Sequence, residues 1–182
     1  MSTVNVNTMK KIALITGATS GIGEACARKF AQGGYDLIVT ARRADVLSEV
    51  KCRLEALGAQ VKALVFDVRD AEACKNAIKS LDSQWSRISV LINNAGLALG
   101  LKKEYEGDED DWNIMIDTNI KGLLTMTRLV VPGMVERNEG HVINIGSVAG
   151  DAAYAGGNVY CATKAAVKTI TDGYRSRYVQ RK

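Results

Sequence analysis

Ile12-Ala13-Leu14-Ile15-Thr16-Gly17-Ala18-Thr19-Ser20-Gly21-Ile22-Gly23 is the stretch on which the reading of the fold turns. Four consecutive apolar residues run straight into a glycine-rich turn, and a helical pattern, Ala25 to Ala31, follows it. A run that is apolar at consecutive rather than alternate positions reads as a strand buried on both faces, the kind found in parallel sheets covered by helices. Glycines in such a turn let the backbone bend tightly and approach a ligand closely. The helix behind them offers free N–H groups and the positive end of its dipole to a phosphate. A glycine-rich turn alone also reads as a plain strand-to-helix connection. Its place between the first buried strand and the first helix favours the phosphate loop.

Outward from this stretch the pattern repeats. Further apolar runs stand at Leu37-Ile38-Val39, Val61 to Phe66, Ile88 to Ile92 and Val142 to Ile145. Helix-length segments lie between them, among them Val46 to Leu57 and the long Asp110 to Val135, which contains the single proline, Pro132. Gly33-Gly34 marks the end of the first helix. Strand alternating with helix five times predicts a doubly wound, Rossmann-type α/β fold with a parallel sheet. Neither linker nor repeat interrupts it, so the 182 residues read as one domain.

Composition narrows the function classes. The chain is 47% apolar and 24% charged, the balance of an ordinary globular protein. A net charge of +4, scattered among 20 acidic residues, favours neither nucleic acid nor a membrane surface as partner. Arg175, Arg177, Arg181 and Lys182 read as a solvated basic tail. The four cysteines stand far apart with no CxxC pair, and His141 is the one histidine, so neither a disulfide framework nor a metal site is expected. Met1 to Thr8 is polar, unlike a signal peptide, and no apolar run is long enough to span a bilayer. The expected location is cytoplasmic.

The spacing Gly-x3-Gly-x-Gly after Thr16 resembles the short-chain dehydrogenase/reductase family, whose members use this loop to hold NAD or NADP. The resemblance implies cofactor contacts from Gly17, Ala18, Thr19, Ser20, Gly21, Ile22 and Gly23. Charge argues which dinucleotide. About 20 residues beyond the loop, where an NAD enzyme places an acidic residue for the ribose hydroxyls, this chain has Ala41-Arg42-Arg43. Arg42 and Arg43 cannot accept a hydroxyl hydrogen but suit a 2′-phosphate, so NADP is expected over NAD. The plainer alternative is a solvated basic pair at a helix start. By resemblance, Asp67, with Val68 behind it, receives the adenine amino group; the rival reading makes Asp67 the cap of the segment from Ala71. Asn93-Asn94-Ala95-Gly96 matches the family's signature at the end of the fourth strand. One asparagine there steadies the sheet centre while Ala95 and Gly96 leave room for the ribose.

Ser147, Tyr160 and Lys164 carry the chemistry in this reading. Tyr160 and Lys164, four residues apart in a helical pattern, share one helix face. Carbonyl reduction by hydride needs a proton at the oxygen. A tyrosine can deliver it if a neighbouring ammonium favours the phenolate. Ser147 then holds the substrate oxygen beside Tyr160, and the resemblance implies that Lys164 also binds the nicotinamide ribose and that Asn119 anchors a water linking Lys164 to solvent. Ser147 and Tyr160 are thus the expected substrate contacts as well as catalytic residues.

The stretches Asn93 to Gly100, Met115 to Gly122, Pro132 to Asn138 and Tyr154 to Tyr160 are similar to the NADP-dependent 3-hydroxy acid dehydrogenases. That subgroup includes enzymes acting on serine and allo-threonine, and the resemblance implies a small 3-hydroxy acid as substrate. Another carbonyl reductase, such as a 3-oxoacyl reductase, is the alternative within the same class. Family members are longer, with two more strands, so the chain reads as lacking the C-terminal part. The expected strand order is 3-2-1-4-5, the fifth strand forming an exposed edge. A non-catalytic dinucleotide-binding or oligomerisation module is therefore the alternative function class. By resemblance the helices Asp110 to Val135 and Tyr154 to Lys182 pair copies into a homodimer or homotetramer.

Overall fold

In a computed structural model, which describes residues 10–100 and 102–178, five parallel strands form one sheet in the order β3-β2-β1-β4-β5. They are β1 (Ile12–Thr16), β2 (Asp36–Ala41), β3 (Val61–Val65), β4 (Ile88–Asn93) and β5 (His141–Asn144). The helices between them are α1 (Gly21–Gln32), α2 (Ala44–Glu55), α3 (Ala71–Lys79), α4 (Glu109–Ile116), α5 (Leu123–Glu136) and α6 (Asn158–Tyr178).

Period-two alternation sorts each strand between two cores. Ala13 and Ile15 of β1 face the side covered by α1 and α2, where they meet Ala27, Ala31, Leu47 and Val50. Ile12 and Leu14 face the other side, against Cys74 of α3 and Met126, Val130 and Met134 of α5. Both faces of β1 and β2 are buried throughout, as their unbroken apolar runs predict. Burial fails at the two sheet edges. Val65 of β3 is 53% exposed, and β5 is at best half-buried, because an edge strand has a neighbour on one side alone.

The stretch expected as one helix from Asp110 to Val135 departs from that reading in its middle. Between α4 and α5 the chain widens into a π-helical turn, Asp117–Gly122, before returning to α-geometry. Gly122 closes that turn against Val68; a β-carbon there would lie 2.8 Å from a Val68 methyl. The last helix also starts later than expected. Tyr154 to Gly157 form a turn, with Gly156 at φ +75°, and α6 begins at Asn158. Gly33 and Gly34 end α1 as predicted, the second at φ +81°. The expected polar start, Met1 to Thr8, and the basic end, Arg181 and Lys182, lie outside the described residues. Among those described, no helix is long and apolar enough to cross a membrane.

Candidate active site

Parallel strands all end on one side, and at a change of direction in strand order the loops diverge and leave a crevice. Here β1 pairs with β2 on one flank and β4 on the other. A cleft of about 660 Å³ opens above their C-terminal ends, reaching from Arg42 and Arg43 at one end to Ser147, Tyr160 and Lys164 at the other.

The glycine turn forms its floor. Gly17 adopts φ +64° and Gly21 φ +56°, conformations that a side chain disfavours. Gly23 is needed for space: a β-carbon there would fall 2.3 Å from Asn94 Nδ2 and 2.4 Å from the Gly17 carbonyl oxygen. Thr16 and Asn94 lock the turn to the end of β4. Thr16 Oγ1 accepts the N–H groups of Asn94 and Ala95, both at 3.0 Å. Asn94 Nδ2 donates back to the carbonyls of Thr16 and Gly17 at 3.0 and 2.9 Å. Ser20 stands at the N-cap of α1 in extended conformation, and its side chain makes no cap bond. The first-turn N–H groups of α1 thus lack the usual side-chain acceptor, and the helix's positive end faces the cleft beside Thr19, Ser20 and Ile22.

Not every loop and strand-end residue reaches this space. Ala18 is fully buried, its N–H on the Thr40 carbonyl at 3.1 Å. Asn93 is buried too, and its Nδ2 ties β4 to Thr127 of α5 and Asn144 of β5 at 3.0 and 2.9 Å. Asn93 accordingly steadies the sheet centre, while Asn94, Ala95 and Gly96 line the cleft. Ala18, Gly23 and Asn93 shape the cleft from behind it, and Gly21, exposed, does not line it.

At the far end Arg42 and Arg43 both line the cleft, and Arg43 also holds the N-cap position of α2 without capping it through its side chain. Asp67 and Val68 line the cleft beside them. The helix-cap reading of Asp67 is overturned. Asp70 caps α3, its Oδ1 accepting the Ala73 N–H at 2.9 Å, because α3 starts at Ala71, three positions too far along the chain for Asp67 to stand at its N-cap. Asp67 is instead gripped by Arg69, a residue that sequence reasoning passed over although it stands two positions away.

At the other end, Ser147 opens a short 3₁₀ turn, Val148–Gly150, and its Oγ accepts the Ala149 N–H at 3.2 Å. Gly150 brings that turn hard against α6; a β-carbon there would sit 2.8 Å from the Lys164 carbonyl group. Tyr160 and Lys164 share the inner face of α6, with Lys164 Nζ 5.9 Å from the Tyr160 ring centre. Lys164 is 7% exposed, and Nζ donates to the Ile145 carbonyl at 2.9 Å. Burial lowers its pKa from the ordinary lysine value.

Asn119 sits in the π-helical turn and is 2% exposed. Its Oδ1 accepts the Leu97 N–H at 2.9 Å, while Nδ2 donates to the Leu97 carbonyl at 2.9 Å and to Thr163 Oγ1 at 3.0 Å. Thr163 Oγ1 in turn donates to the Tyr160 carbonyl at 2.7 Å. Both amide hydrogens are therefore spent, and any water held by Asn119 must be held by an oxygen. Thr163 is a residue that sequence reasoning missed, although it adjoins Lys164. Among the described residues, no three His, Cys, Asp or Glu side chains gather into a metal-binding group.

Comparison with known proteins gives a consistent picture. Residues 11–182 match the family model described as short chain dehydrogenase. An NADP-dependent 3-hydroxy acid dehydrogenase of Salmonella typhi is 52% identical over 165 residues, covering 91% of this chain. The chain spans 65% of that relative's length. The crystal structure of serine dehydrogenase from Escherichia coli superposes with a TM-score of 0.85 at 50% identity, covering 91% of this chain and 75% of that one. The closed form of serine dehydrogenase complexed with NADP+ gives 0.86 at 50% identity, covering 91% and 65%.

Proposed function

The chain belongs to the short-chain dehydrogenase family, and on that premise we propose that it is an NADP-dependent oxidoreductase acting on small 3-hydroxy acids and the matching 3-oxo acids. One observation carries the reading: a single cleft joins a cationic pair, Arg42 and Arg43, to a cluster of Ser147, Tyr160 and Lys164. The cleft's residues suit a dinucleotide. Gly17 and Gly96 leave bare backbone where a β-carbon would approach Ala95 to 3.0 Å or Asn119 Oδ1 to 3.1 Å, and the uncapped start of α1 supplies N–H donors for a pyrophosphate. Arg42, 60% exposed at the side chain, is positioned to meet a 2′-phosphate. The substrate class rests on the relatives: one is named for 3-hydroxy acids and another for serine.

When bound, the nicotinamide supplies or takes up the hydride. The chain's own residues do the rest. Tyr160 gives the proton to the substrate oxygen in reduction and removes it in oxidation. Ser147, whose Oγ accepts from Ala149, still has its hydroxyl hydrogen to donate to that oxygen. Lys164 keeps two N–H donors beyond the one spent on Ile145, and these serve the ribose hydroxyls.

The same reading places the protein in the cytoplasm, supported by four free cysteines. It also pairs copies through α4, α5 and α6; Ile116 of α4 and Leu124 and Val135 of α5 are 37%, 38% and 55% exposed. Light scattering during gel filtration tests the pairing, and a monomer refutes it.

The test of function is a titration followed by an assay. NADPH and NADH are titrated by fluorescence against the chain and against Arg42→Ala. A charged hydrogen bond of about 1.5–3 kcal/mol predicts a roughly ten- to hundredfold preference for NADPH, lost in the variant. NADPH consumption is then followed with a 3-oxo acid and with a plain ketone. Equal affinities, or a clear preference for the plain ketone, overturn the reading.

A further inference from the structure

Asp67 is the one acidic side chain among the described residues lining the cleft, and it lies at the end that carries Arg42 and Arg43. A carboxylate there has the wrong sign for a phosphate neighbour. Arg69, which does not line the cleft, answers that charge. Its Nε and Nη2 donate to Asp67 Oδ2 at 2.9 and 2.7 Å, and its backbone N–H donates to Oδ1 at 3.0 Å. Arg42 Nη1 stands 3.8 Å from the same Oδ2, within reach of the charge but beyond a hydrogen bond. Partial burial works to raise the Asp67 pKa. The Arg69 hydrogen bonds, and then the charges of Arg69 and Arg42, outweigh it and hold the group below the usual carboxylate value. Two guanidinium groups face one carboxylate, and Arg69 has the fork.

We propose that Arg69 is a positioning residue that sets dinucleotide choice: by engaging Asp67 it cancels the carboxylate charge and leaves Arg42 to a 2′-phosphate. This rests on the reading of the cleft as an NADP site. Without the Arg69 side chain, Asp67 keeps the backbone N–H bond to Oδ1 but loses its compensating charge. Arg42 is then the nearest cation recorded against it. A 2′-phosphate loses on two counts, because the carboxylate repels it and Arg42 turns from it to Asp67. A dinucleotide without that phosphate loses on neither.

The experiment measures NADPH and NADH dissociation constants at low ionic strength, where such charges are least screened, for the chain and three variants. Arg69→Met lowers the preference for NADPH by about three- to tenfold, with the loss confined to NADPH. Arg69→Lys, which keeps the charge, retains most of the preference. Adding Asp67→Asn to Arg69→Met restores it, because the charge that needed an answer is gone. The inference fails if Arg69→Met keeps the wild-type preference, if it weakens both cofactors equally, or if Arg69→Lys is as poor as Arg69→Met. A wild-type chain without preference refutes the NADP reading itself, so the two failures are told apart.

Discussion

Lys164 donates a 2.9 Å hydrogen bond to the carbonyl of Ile145, the residue that follows β5, and so reaches from α6 to the end of the sheet. The cation that makes it is almost wholly buried and has a lowered pKa, so the folded state pays for holding it charged. That penalty is complete below the folded pKa. It fades as pH rises from there towards the ordinary value of 10.5, because in that window the unfolded chain binds the proton and the folded one does not.

Lys164→Met therefore keeps or raises stability at neutral pH, by up to about 1 kcal/mol, while damaging NADPH binding and turnover. The margin over wild type narrows as pH climbs past the lysine's folded pKa. Urea unfolding at neutral and alkaline pH reads both effects. A loss of stability at pH 7, or a margin that widens with pH, contradicts the assignment.

Asn119 earns its place through three hydrogen bonds that join the Leu97 segment to α6. Asn119→Ala leaves the Leu97 N–H and carbonyl without these partners and lowers stability by about 2–4 kcal/mol. Asn119→Asp retains the acceptor for the Leu97 N–H but sets a second oxygen against the Leu97 carbonyl, so it rescues little. Denaturant melts of both variants check this, and a mild Asn119→Ala would show the clamp to be idle.

Gly21 and Gly23 differ in what a methyl group would do. Nothing lies within 4 Å of a β-carbon at Gly21, so Gly21→Ala suffers only the strain of φ +56°, about 1–2 kcal/mol. Gly23→Ala collides with Asn94 and with the Gly17 backbone, and costs about 3 kcal/mol or more together with NADPH binding. Thermal melts and cofactor titration rank the two; the reverse order would mean that the turn is not built as described.

Tyr160→Phe removes one hydroxyl and keeps the ring that packs beside Lys164. Turnover falls by about 10²–10⁴, the usual contribution of a placed general acid, while cofactor affinity barely moves. Steady-state rates beside NADPH titrations separate the two effects. A variant with near-normal turnover sinks the proposed proton path.

Much of the fold was legible in the sequence because it depends on local pattern. Consecutive apolar residues at Ile12 to Ile15 and Leu37 to Val39 read as strands covered on both faces, and the glycine turn after Thr16 marked the first crossover. The spacing of Tyr160 and Lys164 likewise fixed them to one face of a helix before any partner was known. The tertiary structure alone decided the contacts between segments far apart in the chain. Asn94 locks a turn 77 residues before it, and Asn119 holds Leu97 and Thr163 at once. The π-helical turn that presents Asn119 leaves no periodicity for a sequence to display. Asp67 could be read as a cap or as a ligand contact until α3 was seen to start after Asp70, leaving the Asp67 carboxylate to Arg69. Periodicity records which face of an element is buried. Which polar group meets which depends on how those elements are brought together, and that is settled only when the chain is folded.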